Sequence, residues 1–145
     1  MTSTATAANT STKTYKILLP MKRKPGMTVE AFRDYYENNH VPLAAKSTAA
    51  LSRYVRRYLE PHPHPETGEP GEQAYDGLTE LWFDNEEAFR GTLAYLTTSH
   101  MPPEIIEDEK QLFDRSSFRI LTTVECETDL DAVRAAIAAE ESSNA

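Results

Sequence analysis

The chain has 145 residues, 39% hydrophobic and 26% charged, which suits one globular domain with a core of its own. A net charge of -8 argues against nucleic acid as a partner, and the single cysteine, Cys126, excludes an intrachain disulfide. The default compartment is therefore reducing and cytoplasmic. No apolar run approaches the ~20 residues that span a bilayer.

Residues 1–14, MTSTATAANTSTKT, have no apolar signal-peptide core and read as a disordered tail. Tyr15 to Lys22 (YKILLPMK) is β-rich and apolar and predicts a first strand, closed by Lys24-Pro25-Gly26. Thr28 is an N-cap for a helix in which Phe32, Tyr35, Tyr36, Asn39 and His40 recur at spacings of three and four, on one face. Pro42 bends or closes that helix, and a short helical piece follows to about Ala50.

Leu51 to Leu59 has the period of a strand, with Arg53, Val55 and Arg57 on one face and Tyr54, Arg56 and Tyr58 on the other. Residues 60–73, rich in proline, glycine and glutamate, form an exposed loop between two strands. Tyr75 to Phe83 is the third strand. Asp84 caps a helix with Phe89, Leu93 and Leu96 as its buried stripe. TTSHMPP interrupts, and Pro103 opens a further helix. Phe118 to Glu125 is the fourth strand, and an Ala-rich helix runs from about Thr128 to Ala139. Cys126 has no partner base in view and reads as a small packing residue.

The order β-α-β-β-α-β with a terminal helix predicts an α+β, ferredoxin-like domain over residues 15–127, with 128–145 as a C-terminal helix and tail. One face of a four-stranded sheet would remain to be covered. Face-to-face pairing of two sheets in a homodimer, a dimeric α/β barrel, would cover it.

Residues 22–43, from Lys22-Arg23-Lys24-Pro25-Gly26 through Tyr35-Tyr36-Glu37-Asn38-Asn39-His40-Val41-Pro42-Leu43, resemble the signature of the EthD-domain family, within the dimeric α/β-barrel superfamily. Glu107-Asp108-Glu109 through Phe113-Asp114 resembles that family's second, weaker motif. The family pattern often has two histidines where this chain has Asn39-His40. The resemblance implies a ferredoxin-like protomer, a dimer and a cleft between helices and sheet. Relatives include accessory proteins of ether degradation, lactone isomerases, and decarboxylases or cyclases of aromatic polyketides. With its short length and Ser/Thr/Ala-rich start, the chain is most similar to the fungal polyketide decarboxylases, which act on precursors such as atrochrysone carboxylic acid.

His40 is the strongest candidate for chemistry, because an imidazole exchanges a proton near neutral pH. A helix-end histidine can also serve structure by bonding a free carbonyl. Tyr36, four residues earlier, can touch it or share its ligand. Tyr54 and Trp82 fall on adjacent predicted strands and could stack a flat polycycle, although strand aromatics are commonly core. His100, in the break TTSHMPP, is a second acid-base candidate at a cleft rim. His62 and His64 lack an evident third ligand, so no metal site is expected. Asp34 lies six residues before His40 and points elsewhere on a helix.

Loss of CO2 from a β-keto acid needs an acid beside the carbonyl oxygen and an apolar pocket, with no metal or organic cofactor. The expectation is a cofactor-independent carboxy-lyase acting on an aromatic polyketide acid, with His40 catalytic and Tyr36, Tyr54, Trp82 and His100 binding substrate. The alternatives are a dehydratase, cyclase or isomerase on a polyketide or lactone, or a non-enzymatic dimeric accessory protein. Some dimeric α/β barrels bind heme, and no sequence feature separates a ligand histidine from an acid at His40.

Overall fold

A computed structural model describes residues 9–144, with side chains from Thr14. The first eight residues of the expected tail lie outside the described residues. Residues 9–14, also expected in the tail, instead begin the first strand, β1 (Asn9–Arg23). The remaining strands are β2 (Arg53–Tyr58), β3 (Gly77–Trp82), β4 (Phe113–Asp114) and β5 (Leu121–Thr128). The helices are α1 (Val29–Tyr35), α2 (Val41–Ala44), α3 (Glu86–Thr98), α4 (Pro103–Lys110) and α5 (Leu130–Ser143).

The protein is mixed α+β, with helices on a curled antiparallel sheet of order β2-β3-β1-β4; β5 also pairs with β1. The chain divides into two compact units. One, residues 15–123, holds the sheet β2-β3-β1-β4 and α1 to α4. The other holds residues 124–144 with the described start of β1. There α5 starts at an Asp129 cap that accepts from the Ala132 N–H at 3.1 Å.

Strand alternation holds where the sequence predicts it. β1 and β3 pair in the register Ile17↔Leu81 and Leu19↔Thr79, and β2 and β3 pair as Tyr54↔Leu81 and Arg56↔Thr79. Ile17, Leu19, Met21, Thr79 and Leu81 are buried with Phe32 and Tyr36 of the first helix, so these residues define the sheet's helix side. Phe32, with no exposed surface, meets the rings of Tyr36 and Tyr58 edge-on at 6.0 and 6.1 Å.

Four further sequence expectations are corrected. Pro42 does not close the first helix: a π-helical turn, Tyr36–His40, joins α1 to α2, and a 3₁₀ turn extends it to Ser47. Pro42 brings no N–H, and its ring would strike the carbonyl four residues back. The wider turn accommodates it, with the Val41 N–H bonded to the Tyr36 carbonyl five residues back. The cap of α3 is Asn85, not Asp84; its side chain accepts from the Ala88 N–H at 2.8 Å. The strand that flanks β1 opposite β3 includes the two-residue β4, which pairs Lys22 and Arg23 with Asp114 and Phe113. The predicted strand at 118–125 begins later, as β5. Cys126 is exposed there, not packed.

Candidate active site

The candidate site lies within the unit 15–123, between the helices and the sheet. The Thr28 cap, accepting from the Ala31 N–H at 3.1 Å, starts α1 at a fixed point. From there Phe32, Tyr36 and His40 fall on the buried side, while Asn39 is exposed. Tyr36 is 2% exposed and His40 is 8% exposed. Their rings meet edge to face, 5.0 Å between centroids and 78° between planes.

Both residues line a cavity of about 400 Å3. Leu19, Met21, Leu51, Leu81, Leu96, Ile105, Phe113 and Phe118 supply most of its apolar wall. Tyr36, Tyr54, Thr79, His40 and Glu109 supply polar groups. A concave, mostly apolar site with a few convergent polar groups is the usual form of a small-molecule pocket. The Tyr36 hydroxyl is hydrogen-bonded to Thr79 Oγ1 on β3. Burial holds the Tyr36 phenol well above its usual range, and Tyr54, likewise raised by burial, adds to the effect. Both phenols therefore stay protonated and can donate hydrogen bonds.

His40 is oriented from outside the cavity wall. Its Nδ1 lies 2.6 Å from Asp108 Oδ2 on α4, and Asp108 Oδ1 accepts from the Tyr35 hydroxyl at 2.8 Å. Asp108 does not line the cavity. With Nδ1–H engaged by the carboxylate, the tautomer is fixed and Nε2 is the ring nitrogen available for proton exchange. Burial, followed by the Asp108 carboxylate, raises the Tyr35 phenol. Asp34 takes no part; it accepts from Asn38 Nδ2 at 2.8 Å.

The next residue, Glu109, turns into the cavity. Its carboxylate accepts from Arg115 Nε at 3.1 Å. Burial raises its pKa, and Arg115 and His40 only partly oppose that. Glu109 also lines a second chamber of about 210 Å3, together with His100, Ser99, Arg115 and Ile120.

Of the residues singled out in the sequence, His40, Tyr36 and Tyr54 converge on the cavity, and His100 lines the smaller chamber beside it. Trp82 is the correction. Alternation puts Thr79 and Leu81 on the helix side, so Trp82 takes the reverse side with Glu80. Its ring lies between Lys16 Nζ at 4.4 Å and the Arg53 guanidinium at 4.9 Å, and it does not line the cavity. Sequence reasoning missed Asp108, Glu109 and Thr79 as site residues. For the first two, the motif resemblance at 107–109 was the available signal. Among the described residues, no group of three or more His, Cys, Asp or Glu side chains is placed to hold a metal ion. His62 and His64 lie in the exposed loop, where His64 Nδ1 accepts from the Glu66 N–H at 3.1 Å. No helix among the described residues is long and apolar enough to cross a membrane.

The fold is mixed α+β, with an apolar cavity between helices and sheet. A family model described as EthD domain matches residues 24–116, more than half of the sequence, and the chain belongs to that family. Among solved structures it is similar to an EthD-like protein of Ralstonia eutropha JMP134, at 17% identity and TM-score 0.44, over 78% of this chain and 88% of that one. It is also similar to an ethyl tert-butyl ether D (EthD) family protein of Bacillus halodurans C-125, at 18% identity and TM-score 0.41, over 79% and 97% of the two chains. A protein of Arabidopsis thaliana matches at 16% identity and TM-score 0.42, over 79% and 93%. No curated protein matches the sequence.

Proposed function

We propose that the protein is a cofactor-independent decarboxylase of an aromatic polyketide β-keto acid, of the atrochrysone carboxylic acid type, with His40 as general acid-base. One observation carries this reading: a histidine held through Nδ1 by a carboxylate lines an apolar cavity of about 400 Å3. The substrate's rings lie against the apolar wall, with Tyr36 and Tyr54 as hydrogen-bond donors to its oxygens. The C–C bond to the carboxylate breaks, CO2 leaves, and its electron pair becomes the enolate. Protonated His40 gives the Nε2 proton to the enolate oxygen as charge develops there, and Asp108 keeps the ring aimed. The chemistry needs no metal because the β-carbonyl already accepts the electron pair. We also propose a homodimer in solution, to be checked by light scattering on the purified full chain.

The test is incubation of the protein with a tricyclic polyketide β-keto acid, followed by mass spectrometry beside His40→Ala and no-protein controls. The expected result is CO2 loss with wild type, and a rate lower by roughly 10²–10⁴-fold with His40→Ala. Equal rates for both proteins would remove His40 from the mechanism. Loss of water or a product of unchanged mass would replace the lyase by a dehydratase or isomerase. Unchanged substrate would sink the reading.

A further inference from the structure

The geometry points to Glu109 as a second catalytic acid, which delivers the proton to the α-carbon of the enol and is recharged from solvent through the smaller chamber. This rests on the decarboxylase reading and completes it, because His40 accounts for the proton on oxygen and leaves the one on carbon unassigned.

Three observations support the role. First, Glu109 is 9% exposed and lines the same cavity as His40. Adjacent positions on α4 thus do different work: Asp108 stays behind the ring of His40, whereas Glu109 reaches the ligand space. Second, the cavity and the smaller chamber share Leu96, Met101, Glu109, Phe113 and Phe118, so Glu109 stands in the wall between them. The smaller chamber adds His100 and Arg115, both exposed, which connects the carboxyl to water. Third, among the described residues the carboxyl pairs with Arg115 Nε at 3.1 Å, from a side chain that is itself 44% exposed. Burial raises the Glu109 carboxyl above the ordinary range, which favours a reserve of the protonated form.

After CO2 leaves, the enol oxygen carries the His40 proton. Glu109 gives its carboxyl proton to the α-carbon, forming the C–H bond. The enol O–H electron pair becomes the ketone C=O π bond as its proton returns to His40 Nε2. Glu109 is left as a carboxylate beside Arg115 and regains a proton from water. One proton is consumed for each CO2 released.

The test uses a tricyclic β-keto acid whose α-carbon carries a methyl group and two different ring carbons, so that protonation creates a stereocentre, and the matching ketone in D2O. Wild type should release CO2 and give one enantiomer in excess. Glu109→Gln should still release CO2 but give a racemate, because the enol is protonated by solvent. Its deuterium exchange into the ketone should fall by ~10²-fold or more. A merely structural role would slow both steps together and leave the enantiomeric excess in place. Retained excess with Glu109→Gln overturns the inference and leaves the decarboxylase standing. No CO2 release by wild type, with ketone exchange still dependent on Glu109, removes the decarboxylase and keeps the acid. Neither reaction overturns both.

If Glu109→Gln does not fold, Arg115→Met keeps the carboxyl and removes its cation. The low-pH limb of ketone exchange, where the Glu109 carboxylate takes the α-proton, should then move to higher pH, with His40, Asp108, His100, Tyr36, Tyr54 and Tyr95 unchanged around it. An unmoved limb counts against Glu109.

Discussion

On the helix side of β1, β2 and β3 stand Leu19, Met21, Tyr54, Thr79 and Leu81, which leave a hollow between sheet and helices. On the reverse side of the same strands stand Lys16, Arg53, Arg57, Glu80 and Trp82, tied to one another. Glu80, 3% exposed, receives Arg57 Nε at 2.6 Å and Lys16 Nζ at 3.2 Å. Burial alone would raise its carboxyl; the hydrogen bonds from Arg57 and Lys16 outweigh that and lower it. The buried charge of Glu80 is thus compensated within the scaffold. The helix side carries hydroxyls, apolar surface and a few acid-base groups that face a ligand. Side-chain alternation lets one set of strands do both.

Three measurements would sharpen or break this contrast, beginning with the largest effect. Phe32→Ala, which empties the best-buried ring of the helix side, should cost ~3–5 kcal/mol in urea unfolding. A loss under about 1.5 kcal/mol would mean that Phe32 is not the keystone of that side. Glu80→Ala removes one partner of a buried charge cluster and should cost about 3 kcal/mol. Turnover per folded molecule should be unchanged, and a fall in kcat with stability intact would show that the reverse side reaches the site.

The smallest effect is that of Glu37, on the rim of the first helix. Arg56 bonds it at 2.7 Å, and that hydrogen bond, against some burial, holds its carboxyl below the usual range. A depressed folded pKa contributes stability above the unfolded value near 4.5, and that contribution is lost as pH falls through the folded value. With 39% of the Glu37 side chain exposed, screening keeps the contribution well under ~1 kcal/mol. Glu37→Gln should therefore flatten the stability curve slightly below pH 4.5 and not above it. A steeper curve would contradict the assignment.

What the sequence disclosed follows the range of the interactions. The alternation of Leu51 to Leu59 placed Tyr54 and Arg57 on opposite faces, because strand period is local. Thr28, Phe32, Tyr36 and His40 were legible for the same reason. Trp82 was misplaced because its pairing with Tyr54 demands the register between strands, which no single segment encodes. Asp108 lies 68 residues from the histidine it orients, and local pattern is silent at that distance. β4, two residues long, is too short to have a period. The chemistry, in short, was legible where one helix carried it and hidden where two elements shared it.

The π-helical turn at 36–40 makes the length of this segment as consequential as its composition. Loss of one residue from 37–39 would leave four residues where five now make the wide turn, restoring an ordinary helix and resetting the later side chains against the start of α1. Tyr36 would keep its seat on Thr79, while the position now filled by His40 would swing away from Asp108. A single-residue gap in a relative at this point therefore marks a change of chemistry, even where tyrosine, histidine and proline are all retained.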